Sequence, residues 1–315
     1  MPSTHLMALC TTRCSLRCAH CVRGRPEEHR DLDPDLWDRI LDEGRKLGFT
    51  SAAFTGGEPC LHPFFDEMLE MTVRKGYTFS ITTNGILSEP YVRAFRKYGS
   101  PAFEYLKVSL DGLEQEHGAM RGEGNFGKTV STLSIYKNLG IRFMVALCAS
   151  KLNMDCMENF ITFCHRQGYV NIEINPLITT QANRSIVLNG GELERLRKTV
   201  DRTDKKLGIK TSKYTIDKLR RNCGIVFCNE LVNPSLTINA MGDCIFCCAT
   251  IENGAVAAPF ADMSVADAYR KTLEMGSKII SLRISDLEAQ KMTLDFNNCD
   301  YCNKVLREYI RPAGR

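Results

Sequence analysis

The stretch of sequence that decides the fold covers residues 6–21 and reads LMALCTTRCSLRCAHC. It opens on four apolar residues, which is typical of a short buried strand. The loop that follows carries Cys14, Cys18 and Cys21, and no fourth cysteine follows nearby. Thiolates are the ligands of 4Fe–4S clusters, and a set of three leaves one iron with an open position. The spacing therefore predicts a cluster that can still bind a ligand.

Beyond this loop, short apolar runs alternate with stretches of helical periodicity. Strands are predicted at 6–9, 51–54, 78–82, 106–110, 142–147 and 171–174, and helices at 34–46, 63–75, 89–98, 127–139 and 154–166. Such alternation is typical of a parallel sheet with right-handed crossovers, in which the loops after the strands gather on one face. We therefore expect a barrel-like α/β fold with its ligand site at that face.

The composition changes after residue 176. A helical stretch follows at 192–207, and from Cys223 onward cysteines lie among short β-like runs such as 235–239. We place a domain boundary near residue 208. The chain would then consist of a catalytic domain, 1–208, and a small α+β domain, 209–315.

Composition excludes several classes of protein. The net charge is only +4, and the longest basic cluster, 218–221, has no interleaved aromatic residues, so nucleic-acid binding has no support. No signal peptide is recognisable, and no apolar run approaches the roughly 20 residues that span a bilayer. We expect a cytoplasmic protein without a membrane partner. In a reducing compartment, its 15 cysteines point to metal sites and not to disulfides.

The cysteine loop resembles the signature of the radical S-adenosylmethionine (SAM) superfamily. That signature is Cys-x3-Cys-x2-Cys after the first strand, with an aromatic or similar residue before the third cysteine, the place of His20. The resemblance implies a partial (β/α)6 barrel and a 4Fe–4S cluster whose open iron is chelated by SAM. It also implies that His20 lies against the adenine. A zinc ion with His20 or His5 as its fourth ligand is the alternative.

Further motifs follow the predicted strands where the family has them. After the second strand, the sequence resembles the family's Gly-Gly-Glu motif, which hydrogen-bonds the SAM ammonium, and its residues are Gly56, Gly57 and Glu58. Glycine lets the backbone approach a ligand closely, and a carboxylate accepts from a cation. An ordinary turn with an exposed acid is the alternative for this motif.

The remaining candidates for the SAM pocket follow the third and fourth strands, and they are Thr83, Asn84, Ser109, Asp111 and Arg121. Ser109 and Asp111 are candidates for the ribose or the substrate. Arg121 resembles the arginine that pairs with the SAM carboxylate. Capping or turn formation is the alternative for each of these residues.

A second set of cysteines lies near the C-terminus, and its members are Cys228, Cys247, Cys299 and Cys302. The set resembles the shortened form of the SPASM extension, the twitch domain, and implies one auxiliary 4Fe–4S cluster. Four thiolates leave no open iron, so this cluster would transfer electrons or stabilise the fold. A zinc-ribbon-like site is the alternative.

Cys248 suggests how the reaction ends. In an extended segment neighbouring side chains point to opposite sides, so Cys248 would face away from a cluster that Cys247 holds. Its thiol could return hydrogen to a substrate radical. This arrangement resembles radical SAM epimerases. Cys244 is the rival donor, and a small buried apolar cysteine is the alternative for Cys248.

The predicted function is therefore a radical SAM epimerase of antibiotic biosynthesis, with a flavodoxin or ferredoxin as reductant. Only thirteen residues precede Cys14, and without a leader-binding domain we expect a small molecule, an aminoglycoside of the neomycin type. Acids that could bind this polycation are Asp31, Asp33, Glu173 and Asp262. The alternatives are a peptide epimerase, a dehydrogenase that oxidises an amino-cyclitol alcohol, and a non-catalytic zinc protein.

Overall fold

The structure is a computed structural model that describes residues 5–23, 28–180, 182–212, 234–247, 256–260, 263–288, 301–302 and 305–306. Its strands are β1 (His5–Thr11), β2 (Ser51–Gly56), β3 (Thr78–Thr83), β4 (Phe103–Ser109), β5 (Phe143–Ala149), β6 (Ile172–Pro176), β7 (Leu236–Ile238), β8 (Asp243–Ile245) and β9 (Val256–Pro259). Its helices are α1 (Pro34–Lys46), α2 (Phe65–Arg74), α3 (Glu89–Ala102), α4 (Glu114–Arg121), α5 (Asn125–Asn138), α6 (Met157–Arg166), α7 (Gly190–Leu207) and α8 (Val265–Glu288).

Local sequence explains where several helices begin and end. The Asp33 side chain accepts from the backbone N–H of Asp35 and caps α1, whose first residue is a proline. At the start of α7, Asn189 and Glu192 form a reciprocal capping box. That helix ends at Gly208, which adopts a left-handed conformation with φ of 65°.

The described strands form one sheet in the order β6-β5-β4-β3-β2-β1-β7-β8-β9. Strands β1 to β6 pair in parallel with their neighbours. This confirms the predicted parallel α/β fold. Because the strands share one direction, the loops that follow them meet at one edge of the sheet, and the candidate motifs lie on those loops.

The core fills the space between the sheet and its helices. Alternate residues of β1, such as Leu6 and Ala8, are fully buried in it, together with Trp37 of α1 and Phe79 of β3. The Trp37 indole N–H also donates to the Thr72 hydroxyl at 3.1 Å, so its polar atom is satisfied.

The C-terminal strands extend the barrel sheet. Strand β7 pairs in parallel with β1, with Leu236 opposite Leu6, and β8 and β9 continue antiparallel. Helix α8 packs beside α1, where the Glu43 carboxylate accepts from the backbone N–H of Val265 at 2.7 Å. The division at residue 208 and the twitch assignment stay predictions.

Two helices are absent from the sequence prediction. Helix α4 is short and charged, with a glycine at 118, and gives little apolar periodicity. Helix α8 lies in the cysteine-rich part of the chain. The sequence prediction for that part rests on cysteine spacing and not on apolar periodicity. Neither these nor any other helix in the described ranges is long and apolar enough to cross a bilayer.

Candidate active site

The loop after β1 holds the three cysteines predicted to bind the first cluster. Cys14 is exposed, and Cys18 and Cys21 are half-buried. The loop is tied to the C-terminal end of α4, because the Ala19 N–H donates to the Met120 carbonyl at 2.9 Å. All three thiols are thus held on one short segment above the ends of the strands.

The electrostatics of these thiols fit a bound cationic centre. Burial raises the pKa of Cys14, and the nearby Cys21 thiol adds to that increase. Burial also raises the pKa of Cys18 to about 11, where Cys21 and Cys14 reinforce it and Arg121 opposes it. The thiols therefore hinder one another's ionisation. A metal centre that binds thiolates would relieve this.

The three thiols of the loop do not stand together as the ligands of one zinc ion would. Among the described residues, the group whose ligand atoms lie within 4.8 Å of one another is His20, Asp111 and Cys148, and not the three thiols of the loop. Thiolates on a single tetrahedral zinc stand about 3.8 Å apart, given Zn–S bonds of about 2.3 Å. At least one pair of the three thiols is therefore farther apart than that in this structure.

The two glycines of the Gly-Gly-Glu motif let β2 approach the cysteine loop. The Gly57 N–H donates to the Thr11 carbonyl and the Glu58 N–H to the Arg13 carbonyl, each at 2.7 Å. A Cβ at Gly57 would lie 2.0 Å from the Arg13 oxygen, and one at Gly56 would lie 2.5 Å from the Thr11 oxygen. Both glycines thus contact the backbone of the segment that carries the cysteines. These contacts fix the path of that segment.

The Glu58 carboxylate is fully buried among neutral donors. Its Oε1 accepts from the Thr83 hydroxyl at 2.6 Å and from the Tyr91 hydroxyl, and its Oε2 accepts from the Asn84 N–H at 2.9 Å. Burial raises its pKa, although these donors oppose the shift. The alternative of an exposed acid on a turn is therefore wrong, and Glu58 ties β2 to β3 and α3.

Asn84 reaches from the end of β3 to the cysteine loop. Its side-chain amide lies 3.9 Å from the Cys14 sulfur and 3.4 Å from the Ser15 hydroxyl. Its carbonyl oxygen accepts from the Ile86 N–H at 2.9 Å, which makes the turn. The turn-forming alternative for Asn84 is thus observed, and its place in the SAM pocket stays a prediction.

Asp111 and Arg121 form a buried ion pair beside Cys18, and His20 lies against this pair. Arg121 Nε donates to Asp111 Oδ2 at 2.5 Å, and Arg121 Nη2 lies 3.3 Å from His20 Nε2. Burial alone would raise the pKa of Asp111, but Arg121, His20 and the Cys148 N–H outweigh it and leave that pKa lowered. The sequence predicts the SAM ribose or the substrate as the partner of Asp111 and the SAM carboxylate as the partner of Arg121, whereas in the structure the two residues bind each other.

His20 retains one atom that a ligand could satisfy. Burial lowers its pKa, so the ring is neutral near pH 7. Its Nδ1 is buried without a hydrogen-bond partner among the described residues. A buried polar atom of this kind costs free energy unless a ligand pairs with it. This orphaned atom fits the predicted place of His20 beside the adenine.

Two residues of the site were missed by sequence reasoning. Cys148 lies on β5, beside Asp111 and His20, and burial raises its pKa to about 12. Tyr91 lies on α3, and its hydroxyl donates to the Glu58 carboxylate. Cys148 comes near the end of a predicted strand, like the other candidates, and this signal could have found it. Nothing in the spacing of Tyr91 could have done so.

The other candidates are dispersed. Ser109 lies at the end of β4 and is buried. Cys247 packs against a small apolar cluster to which Cys302 belongs. Cys244 is fully buried in the main core, and its sulfur lies 3.5 Å from the Thr272 hydroxyl of α8. The remaining predicted positions, which are Cys228, Cys248, Cys299 and Asp262, lie outside the described residues.

The acids proposed for a polycationic substrate have other partners. Asp31 pairs with Arg13 at 2.9 Å. Glu173 pairs with Lys107 at 2.9 Å, and Asp33 caps α1. Asp31 and Glu173 are thus paired with cations of this chain, and Asp33 holds the first turn of α1.

Comparison with known proteins places this geometry in a family. The "Radical SAM superfamily" profile matches residues 9–164. Mycofactocin maturase MftC of Mycolicibacterium smegmatis is 27% identical over 161 residues, which cover 50% of this chain and 41% of that protein. PqqA peptide cyclase of Granulibacter bethesdensis is 26% identical over 178 residues, which cover 55% and 47%. The chain thus spans less than half the length of these two relatives.

Solved structures show the same fold. Streptococcus suis SuiB bound to precursor peptide SuiA superposes with a TM-score of 0.69 at 18% identity, and the match covers 84% of this chain and 64% of SuiB. SuiB has also been solved with S-adenosylmethionine. The radical SAM fold binds a 4Fe–4S cluster and SAM, and the residues described above fit both groups. By its sequence profile and its fold, this chain belongs to the radical SAM superfamily.

Proposed function

We propose that this protein is a radical SAM epimerase in which Cys14, Cys18 and Cys21 hold the SAM-binding cluster and Cys248 returns a hydrogen atom to the substrate. The observation that carries the first half is the meeting of the cysteine loop, the Gly56–Gly57 crossing and the group around Arg121 at one sheet edge. It leaves His20 Nδ1 open for a ligand.

The second half rests on the C-terminal cysteines. Cys247 packs against the small apolar cluster to which Cys302 belongs, which supports an auxiliary 4Fe–4S cluster completed by Cys228 and Cys299 in a twitch domain, 209–315. Cys248 directly follows Cys247. If Cys247 is a ligand of the auxiliary cluster, the Cys248 thiol would lie close to an electron carrier. That carrier would supply the electron that the thiyl radical needs to become a thiol again.

A cluster held by Cys14, Cys18 and Cys21 would, with SAM and one electron, supply a 5′-deoxyadenosyl radical that takes one hydrogen atom from a carbon of the substrate. Cys248 would give its thiol hydrogen to the opposite face of that carbon and be left as a thiyl radical. One electron and one proton would restore the thiol. An auxiliary cluster held by Cys228, Cys247, Cys299 and Cys302 would carry that electron from a flavodoxin or ferredoxin.

The rival donor, Cys244, has lost support. Its thiol is fully buried against Thr272 of α8, on the side of β8 that packs into the main core. Burial raises its pKa to about 11. A donor must contact the substrate radical, whereas in the described part of the chain this side chain lies in the core against α8.

Two substrate classes stand for this epimerase. An aminoglycoside of the neomycin type is the class that the sequence predicts, but Asp31, Asp33 and Glu173 are engaged elsewhere and no longer support it. A ribosomal peptide is the second candidate. It is favoured by the similarity to PqqA peptide cyclase and to SuiB, which was solved with a precursor peptide.

The first experiment tests the clusters without any substrate. Anaerobically reconstituted protein should hold about eight irons per chain, as two 4Fe–4S clusters require, and should cleave SAM to 5′-deoxyadenosine under dithionite. Cys18→Ala should lose about four irons and all cleavage. Full cleavage in Cys18→Ala, or a chain that binds only zinc, would refute the cluster assignment.

The second experiment tests the donor with a neomycin-type aminoglycoside and, separately, with precursor peptides as probes. In D2O, an epimerase leaves one deuterium at the inverted carbon, because thiol hydrogen exchanges with solvent. The alternative, a twitch-domain dehydrogenase acting on an amino-cyclitol alcohol, gives a product two hydrogens lighter. Cys248→Ala should still cleave SAM but form no inverted product, whereas Cys244→Ala should invert normally. Inverted product from Cys248→Ala rules out this donor.

A further inference from the structure

Arg121 occupies a place between a carboxylate and a predicted cluster ligand. Its Nε donates to Asp111 at 2.5 Å, and its Nη1 lies 3.8 Å from the Cys18 sulfur. The side chain is largely buried, and Asp111 is wholly buried. One guanidinium thus bridges a fixed negative charge and a thiol that carries negative charge as a cluster ligand.

The bridge is held from both ends. Arg121 is the last residue of α4, and its carbonyl accepts from the Asn125 side chain at 3.1 Å. On the other side, Asp111 Oδ1 accepts from the Cys148 N–H at 2.8 Å. The Asp111 carbonyl accepts in turn from the Asn153 side chain at 3.0 Å. The guanidinium therefore reaches Cys18 in a fixed orientation.

Charge at this distance matters because the pair is buried. In the low dielectric of a protein interior, a cation next to a thiolate is screened far less than at the surface. The potential of an iron–sulfur cluster depends on hydrogen bonds to its sulfurs and on nearby charge. A lone guanidinium would stabilise the reduced, more negative cluster strongly, and Asp111 offsets part of that effect.

Asn84 provides a neutral counterpart on the same loop. Its amide lies 3.9 Å from the Cys14 sulfur and carries no net charge. Two of the three predicted ligands thus have a side-chain N–H donor, and the one at Cys18 is cationic. The charge of the donor distinguishes the two sides of the site.

We propose that the Asp111–Arg121 pair is a positioning pair that sets the reduction potential of the cluster held by Cys18. The inference rests on the proposed function, because it takes Cys18 as a cluster ligand. Arg121 favours the reduced cluster through Cys18, and Asp111 limits this preference. The two members of the pair therefore act in opposite directions on one measurable quantity.

The test is a redox titration of the reconstituted protein without SAM, followed by electron paramagnetic resonance. The relevant signal is the one whose shape changes when SAM is added afterwards. Arg121→Gln should lower the midpoint potential, and Asp111→Asn should raise it. Each should change the reduction equilibrium at least tenfold, or about 59 mV for one electron. A residue with only a structural role would give no opposite pair of shifts.

Asp31→Asn is the matched control. It also removes the partner of an arginine beside the cysteine loop, but the Arg13 side chain is 40% exposed, so solvent screens its charge. The reduction equilibrium of the cluster in Asp31→Asn should stay within threefold of that in the parent protein. If Arg121→Gln and Asp111→Asn bind iron and show the parent potential, the inference is wrong. So is it if both shift in the same direction.

A different result would show that the proposed function itself is wrong. If Cys18→Ala keeps the SAM-sensitive signal, the cluster assignment falls and the potentials say nothing of Arg121. If Arg121→Gln or Asp111→Asn does not load iron, Arg121→Lys replaces it, since it keeps the charge but lacks the fork that reaches both partners. Arg121→Lys should load iron with a lowered potential, and an unchanged potential in it overturns the inference.

Discussion

Replacing Gly57 by alanine tests the crossing of β2 and the cysteine loop. The new Cβ would lie 2.0 Å from the Arg13 oxygen and 2.6 Å from its carbonyl carbon, both backbone atoms that no rotamer change can move. The two strands must separate, which strains or breaks the 2.7 Å hydrogen bonds of Gly57 and Glu58. Two such bonds at about 1 kcal/mol each, with about 1–3 kcal/mol of overpacking, give a loss of about 3–5 kcal/mol.

The assay has two parts. Urea unfolding of the iron-free protein measures the change in stability, and iron per chain after reconstitution measures whether the loop still binds a cluster. Gly127→Ala is the control, because its Cβ meets nothing within 4 Å and it lies inside α5. This control should gain about 0.5–1 kcal/mol, since alanine favours helix over glycine, and should bind iron normally.

If Gly57→Ala unfolds at the parent urea concentration and binds the parent amount of iron, the close crossing does not hold the loop. A loss of stability with full iron binding would mean that the crossing supports the fold alone. We expect both quantities to fall together, because one pair of backbone contacts serves both.

Three further predictions concern buried polar groups and the joint between the two ends of the chain. Burial lowers the pKa of His117 to about 4, so its stabilising share is complete above pH 6.5 and is lost, up to about 3 kcal/mol, as the pH falls towards 4; His117→Asn should flatten this part of the urea-unfolding pH profile. Tyr91→Phe removes one donor from buried Glu58 and should lower the free energy of unfolding by about 1.5–3 kcal/mol, and parent stability in that variant would contradict the contact. Arg39→Met removes hydrogen bonds to the carbonyls of Phe260 and Met263, so limited proteolysis should cut the C-terminal part faster than in the parent; equal rates would show that this joint does not hold it.

The parallel α/β fold could be predicted because its signals are local. Each strand is an apolar run closed by a turn, and each motif follows a strand end, as Gly57 and Asn84 do. Cysteine spacing is equally local, so Cys14, Cys18 and Cys21 could be read as one loop. In these cases neighbours in sequence are also neighbours in space.

The partners inside the site could not be predicted in the same way. Arg121 meets Asp111 because α4 turns the chain back, and α4 itself has little periodicity. Tyr91 meets Glu58 across 33 positions of sequence because α3 packs beside the residues that follow β2. Such contacts depend on how whole helices settle on the sheet. A rule based on motif spacing has no access to them.

The pairing of β7 with β1 also bears on how the molecule stays separate from its neighbours. In the sheet order, β1 has β2 on one side and β7 on the other, so its backbone groups are bonded on both sides. Without β7, the apolar row around Leu6 and Ala8 would be an open edge, a template for a strand of another molecule. Strand β7 thus covers the edge of β1 and protects it from pairing with another molecule. We expect substitutions at 236–238 that weaken this pairing to lower the solubility of the protein before they change its activity.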